Sequence, residues 1–179
     1  VQLIVDTDQI QLYQGDAADY VDNDVDLVLT HPYTPLPPHL RDKPIILSGF
    51  ADRKGQMERF AGQSLTEIGR WHRAPNLQAV WVANLDPEPL DLSALMADEF
   101  APCQGWWPLD LPLRLLEHCG FDNRLHHEFS ERIVPAPVVW DGFMGRGTAG
   151  RACQLLGLRF VGIDIDPARV TLARNYLGV

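Results

Sequence analysis

The chain has 179 residues, 46% of them hydrophobic and 22% charged, enough for one domain with a sizeable core. No apolar run approaches the roughly 20 residues of a membrane-spanning helix, and Val1–Asp6 lacks the basic flank and cleavage site of a signal peptide. The formal charge of −9 argues against a free-standing nucleic-acid binder, and three scattered cysteines (Cys103, Cys119, Cys153) suit reduced thiols in the cytoplasm.

In chain order, Gln9–Tyr13 alternates as a strand and stops at Gly15-Asp16, with a short helical turn to follow. Val25–Thr30 reads as a second, largely apolar strand near the middle of a sheet. His31-Pro32-Tyr33-Thr34-Pro35-Leu36-Pro37-Pro38 cannot extend it, because four prolines remove donors and fix φ; it predicts an ordered loop or lid. Residues 41–73 hold seven basic side chains against four acidic ones, a local surplus of +3 that leaves −12 for the rest. Within them, Met57, Phe60, Leu65 and Ile68 fall on one side of a predicted helix over 56–70.

Leu77–Ala83 predicts a third strand, and residues 84–108 a proline-punctuated stretch around a short helical candidate at Leu92–Met96. Leu111–Cys119 follows as a helix, with Pro112 in its first turn and Gly120 as its stop. Arg124–Val134 reads as one extended strand or hairpin arm. Val138–Trp140 is then a strand, Thr148–Leu156 a helix ending at Gly157, Arg159–Ile163 a strand and Pro167–Tyr176 the closing helix. Strands and helices mostly alternate, so the expected class is α/β with a largely parallel sheet.

Gly145-x-Gly147-x-x-Gly150 stands between a strand and a helix, and Asp164 ends the next strand nineteen residues after Gly145. This is the form of a nucleotide-cofactor site: glycines let the backbone approach a ligand, and the acid accepts hydrogen bonds from ribose hydroxyls. NAD and S-adenosylmethionine both satisfy the spacing. Two details disfavour NAD. Only fifteen residues follow Asp164, so the strands that complete the sheet must lie upstream, and Asp141 suits a cofactor that carries positive charge.

The stretch Asp141-Gly142-Phe143-Met144-Gly145-Arg146-Gly147-Thr148 resembles the D-P-F-x-G-S-G-T motif of the amino-group (N4-cytosine/N6-adenine) DNA methyltransferases. Phe160–Pro167 resembles the strand and helix start that follow it. Upstream, Tyr13-Gln14-Gly15-Asp16 and Asp26-Leu27-Val28-Leu29-Thr30-His31-Pro32-Tyr33 resemble further family segments, the latter D-L-V-L-T-(D/S)-P-P-Y. The order is that of the permuted, beta-type members, whose catalytic half precedes the cofactor half.

This resemblance implies a Rossmann-like S-adenosylmethionine-dependent methyltransferase fold, a mostly parallel sheet flanked by helices with permuted motif order. It also implies an S-adenosylmethionine site lined by Asp141, Phe143, Gly145, Gly147 and Thr148, with Asp164 on the ribose and Asp16 near the adenine. Thr30 would supply a side-chain acceptor for the target amine, His31 a backbone carbonyl, Pro32 a rigid turn and Tyr33 a face to stack on a flipped-out base. Four residues depart from the motifs: Thr30, His31, Gly142 and Arg146.

The expected organisation is a single methyltransferase domain over 1–179, since residues 84–108 are too few for a separate target-recognition domain. DNA would be met through the basic 41–73 segment or with a partner subunit supplying sequence recognition, and no membrane is involved. A catalytically silent binding module and an RNA-directed enzyme are the alternatives. His39, His72, His118, His126 and His127 show no metal-ligand spacing, and Trp106-Trp107 reads as a base-stacking wall or an interior anchor.

Overall fold

The computed structural model describes residues 1–73, 76–93, 107–124 and 135–179. Its strands are β1 (Gln2–Asp6), β2 (Ile10–Gln14), β3 (Leu27–Thr30), β4 (Ile45–Phe50), β5 (Thr66–Arg73), β6 (Asn76–Ala83), β7 (Val138–Asp141) and β8 (Arg159–Asp164). Its α-helices are α1 (Lys54–Ala61), α2 (Asp110–His118), α3 (Thr148–Leu156) and α4 (Pro167–Leu177). The described strands form an eight-stranded sheet in the order β1-β2-β8-β7-β3-β4-β6-β5. From β2 to β4 neighbouring strands are parallel. Antiparallel strands close both edges, β1 on one side and β6 then β5 on the other.

Successive side chains of a strand point to opposite faces, and here both faces are covered. Leu27, Leu29, Ile46, Val139 and Phe160 pack into one core with Leu115 of α2, Ala152 and Leu156 of α3, and Ala173 and Leu177 of α4. Their neighbours Val28, Ile45, Leu47, Trp140 and Val161 pack on the other face with Met57 and Ala61 of α1 and with Leu36 and Leu40 of the proline-rich loop. Burial on two faces is why β3 and β7 open as continuous apolar runs rather than alternating ones. The fold is a Rossmann-like α/β fold, a largely parallel sheet flanked by helices. No described helix is long and apolar enough to cross a membrane.

One predicted element is corrected. The helix expected over 56–70 ends at Ala61, where Gly62 adopts φ +74 and closes it, and Thr66–Arg73 continues as strand β5. Leu65 and Ile68 are buried, but in separate cores; their helical spacing from Met57 was a coincidence of two elements. The sequence reading also passed over β1, a mostly exposed edge strand, and β4, whose apolar run is interrupted by Ser48-Gly49. Residues 125–134 of the strand expected at Arg124–Val134, and the end of the Leu92–Met96 candidate, lie outside the described residues.

The strand order fixes where a ligand can enter. After β7 the chain crosses to β8 on one side, whereas after β3 it crosses to β4 on the other. The two adjacent parallel strands therefore splay their following loops apart, leaving a crevice at their C-terminal ends. Thr30 ends β3 and Asp141 ends β7, so the motifs of the two chain halves meet there.

Candidate active site

The turn from β7 into α3 is held by its backbone. Met144 N–H donates to Ile163 O at 3.0 Å and Gly147 N–H to Met144 O at 2.8 Å. Gly147 has φ +84, a left-handed conformation that a side chain disfavours, and a Cβ there would press to 3.2 Å on Ala173 and Leu177. Gly142, where the resembled motif has proline, has a different cause. Any Cβ would collide with the Trp140 ring and approach Ala17 Cβ to 2.9 Å.

Asp141 and Asp164 are both buried, with different partners. Asp164 accepts from Gly145 N–H through Oδ2 and from Asp166 N–H through Oδ1, both at 3.0 Å, bracing the glycine turn against the start of α4. Asp141 Oδ1 accepts from the Thr30 hydroxyl at 2.6 Å and from Phe143 N–H at 3.0 Å. Its Oδ2 has no hydrogen-bond partner among the described residues. Burial pushes the Asp141 carboxyl up from 3.8 to about 7; the two donors work against this, and the charge of Asp164 adds to it.

The loop after β3 is anchored from below. His31 Nδ1 lies 3.1 Å from Ser48 Oγ of β4, and Trp107 Nε1–H donates to the same oxygen at 2.8 Å. Pro32 is buried, while Tyr33 is 59% exposed. The Tyr33 ring stands 5.3 Å from the His31 ring and 5.7 Å, edge-on, from Phe143. The two halves of the chain thus share one aromatic rim.

An open cavity of about 550 Å³ lies between them. Six predicted residues line it: His31, Tyr33, Asp141, Phe143, Gly145 and Thr148. Thr30 sits behind the wall, bonded to Asp141. Pro32, Gly147 and Asp164 shape the surrounding turns without lining the cavity. Asp16 is exposed and caps its own turn through Ala18 N–H at 2.9 Å; the adjoining Gly15 N–H reaches Asp164 O at 3.1 Å.

Other wall residues were not chosen from sequence: Trp107, Met144, Arg146, Ala149 and Arg169. Trp107 and Arg146 were visible, one as part of a tryptophan pair and the other as a departure within the motif. Ser48 and Arg169 had no local signal, because only the sheet and α4 bring them to the site. Trp106, His126 and His127 lie outside the described residues.

Several cations of the basic 41–73 segment have partners within the chain. Arg41 donates to Leu36 O from Nε and Nη2, Lys43 to Asn23 O, and Lys54 and Arg70 pair with Glu58 and Glu67. Arg53 instead lies over the Phe50 ring, 5.1 Å from its centroid, and Phe50 is edge-on to His31.

Two tests follow from this geometry. Restoring a side chain with Gly142→Ala should destabilise the fold by about 1–3 kcal/mol through overpacking against Trp140, read as a lower urea midpoint at unchanged slope. The second concerns Asp141, raised from 3.8 to about 7, so that between these values the folded protein binds a proton that the unfolded chain has lost. Its stabilising contribution is full below 3.8, declines as pH rises through that window, and is lost above about 7. Urea unfolding of ligand-free protein between about pH 5 and 8 should show this decline, and Asp141→Asn should remove it. Identical pH profiles for the two proteins would contradict the assignment.

No family model and no curated protein matches the sequence. Solved structures do match the fold. The structure of an M1.HpyAVI–SAM complex is 17% identical with a TM-score of 0.67, the alignment covering 94% of this chain and 100% of that one. A DNA modification methylase of Thermus thermophilus, TTHA0409, described as putative and complexed with S-adenosyl-L-methionine, is 16% identical with a TM-score of 0.56, covering 95% of each chain. The cytosine-N4-specific PvuII DNA methyltransferase is 13% identical with a TM-score of 0.57, covering 92% of this chain and 85% of that one. At these identities the likeness establishes the shared fold.

Proposed function

We propose that this protein is an S-adenosylmethionine-dependent methyltransferase acting on the exocyclic amino group of cytosine (N4) or adenine (N6) in a base flipped out of DNA. The observation that carries this reading is the Thr30–Asp141 hydrogen bond at the cavity, beneath the exposed ring of Tyr33. The similarity to structures solved with S-adenosylmethionine and to a cytosine-N4-specific DNA methyltransferase supports it.

The cavity residues fit the cofactor chemically. A buried carboxyl with one oxygen unengaged among the described residues suits the positive charges of a sulfonium or ammonium group, and such charges would favour its ionised form. Asp141, Phe143, Gly145 and Thr148 would line that site, with Gly147 shaping the turn. Asp164 would take ribose hydroxyls on its remaining lone pairs, and Asp16 would lie near the adenine. When bound, S-adenosylmethionine supplies an electrophilic methyl group.

The chain's own residues prepare the amine. Tyr33 stacks on the extruded base, and Pro32 fixes the turn that presents it. Thr30 gives its own proton to Asp141 Oδ1. It is fully buried behind the cavity wall, so the loop after β3 must shift for its oxygen lone pairs to accept one N–H of the amine, while the His31 carbonyl accepts the other. Holding both N–H groups in this way turns the nitrogen lone pair out of conjugation with the ring. The proton released by the methylated amine passes to Thr30 Oγ1 as the Thr30 proton moves to Asp141 Oδ1. Burial raises the Asp141 carboxyl and so helps it take that proton, while the positive charge of a bound cofactor works against this.

Transfer of labelled methyl from S-adenosylmethionine to unmodified DNA tests the proposal, with RNA assayed in parallel. Base-linked label on DNA is expected; none on any DNA, with a working control enzyme, would sink it, and label on RNA alone would redirect it. Thr30→Val should lower kcat by roughly 10²-fold or more at unchanged cofactor affinity, with Thr30→Ser restoring most of the loss.

Arg53, one ring beyond His31, is proposed to meet a DNA phosphate. Arg53→Gln should weaken DNA binding and reduce the slope of log K against log salt by about one, without changing cofactor affinity. An unchanged slope would remove Arg53 from the interface.

A further inference from the structure

Ser48 interrupts the apolar run of β4 directly after Leu47, and only 1% of its surface is exposed. A hydroxyl buried among aliphatic side chains is costly unless it is hydrogen-bonded. Two side chains meet this need. Trp107 Nε1–H, from the segment that leads into α2, donates to Ser48 Oγ at 2.8 Å, and His31 Nδ1 lies 3.1 Å from the same oxygen. Both rings line the cavity. Alternate residues of a strand share a face, so Phe50 follows Ser48 toward His31 and stands edge-on to it at 6.4 Å.

The chemistry of the three groups fixes the direction of this chain of bonds. An indole nitrogen only donates, so Ser48 Oγ accepts from Trp107 and must give its own proton elsewhere. Among the described residues, the acceptor within reach is His31 Nδ1. That nitrogen therefore carries the lone pair, and the proton of the neutral ring sits on Nε2. A proton on Nδ1 would leave the buried Ser48 hydroxyl without an acceptor among the described residues. Because hydrogen bonds in a chain polarise one another, the Trp107 bond strengthens the one to His31.

What this relay holds is the loop after β3. His31 follows Thr30 directly, and its ring stands 5.3 Å from that of Tyr33. The resembled motif has a proline in place of His31, and a proline ring fixes φ covalently. Histidine brings no such restraint. We propose that Ser48 is a positioning residue, tethering His31 to β4 and Trp107 in place of the missing proline. The shift that exposes Thr30 then stays small, with the His31 carbonyl and the Tyr33 ring kept at the cavity. The tether stands on the bonds themselves, and its service to catalysis rests on the methyltransferase reading.

Long-range proton–nitrogen spectra of the histidine rings test the relay without cofactor or substrate. They are recorded on ligand-free protein at about pH 8, where ordinary imidazoles are neutral, with a His31→Gln sample to identify the signal. In the wild-type protein Nε2 should be protonated and Nδ1 bare. Ser48→Ala should shift the Nδ1 resonance, and Ser48→Thr, which keeps the hydroxyl, should leave it near the wild-type position. A proton on Nδ1 of the wild-type protein would overturn the relay, and that result needs no variant to fold. An Nδ1 resonance unmoved by Ser48→Ala would overturn it too.

Transfer of labelled methyl to DNA tests the positioning role. Ser48→Ala strands the Trp107 N–H and lowers stability for that reason alone, so the readout is kinetic. Its kcat should fall on the order of 10- to 100-fold at unchanged S-adenosylmethionine affinity by calorimetry, and Ser48→Thr should recover most of the loss. Combined with His31→Leu, Ser48→Ala should cost nothing further, because either change cuts the same tether. Additive losses, or a Ser48→Ala enzyme as fast as wild type, would overturn the positioning role. No methyl transfer to any nucleic acid by the wild-type protein would overturn the methyltransferase reading and the positioning role with it, while the spectra still decide the relay.

Discussion

The hydrogen bond from Thr30 to Asp141 joins residues 111 positions apart at the crevice where the motifs of the two chain halves meet. It can form because β3 and β7 are adjacent parallel strands whose connections leave in opposite directions, so that both C-terminal ends open on the same crevice. Thr30 is fully buried and Asp141 almost so. In that setting a carboxyl is held up near neutrality by desolvation, and the short bond from a hydroxyl is one of the few groups offsetting it. The acid is therefore poised between its two protonation states by the fold itself.

Around this bond the site divides into a rigid floor and an aromatic rim. The floor is the glycine turn, tied to β8 through Met144 and Gly145 and braced by Asp164. The rim is formed by Tyr33, His31 and Phe143, supplied by two loops that reach one another across the crevice. The proline-rich loop behind Tyr33 is anchored as well. Leu36 N–H donates to Phe60 O at 2.9 Å, and the Arg41 guanidinium donates to Leu36 O. An exposed ring on an anchored loop would lose less conformational entropy on contact with a planar ligand.

The departures from the resembled motifs have local causes that only the packed structure supplies. Gly142 replaces proline because the large Trp140 ring occupies the space a Cβ would need. His31 replaces proline beside a buried serine and a tryptophan, and its Nδ1 meets the Ser48 hydroxyl that also accepts from Trp107. Arg146 replaces serine where Tyr176 and Thr148 can hold a guanidinium. In each case a neighbouring side chain brought in by the packing accommodates the new residue.

The sequence by itself determined the α/β class, the glycine turn between strand and helix, and the residues that close β3 and β7, because these features are written in local patterns. Apolar runs, glycine spacing and the prolines after Thr30 act over a few residues, and their physical meaning does not depend on distant partners. Periodicity misled once, at residues 56–70, where a glycine-terminated helix and a strand happened to keep a common spacing. What the tertiary structure alone decided was which residues share the cavity. Trp107 and Arg169 come to it through the packing of distant segments, and Ser48 of β4 supports two of its walls, His31 and Trp107, from behind. Asp164 also accepts from backbone donors of the glycine loop and of α4. Such placements are set by contacts between segments far apart in the chain, and local sequence carries no record of them.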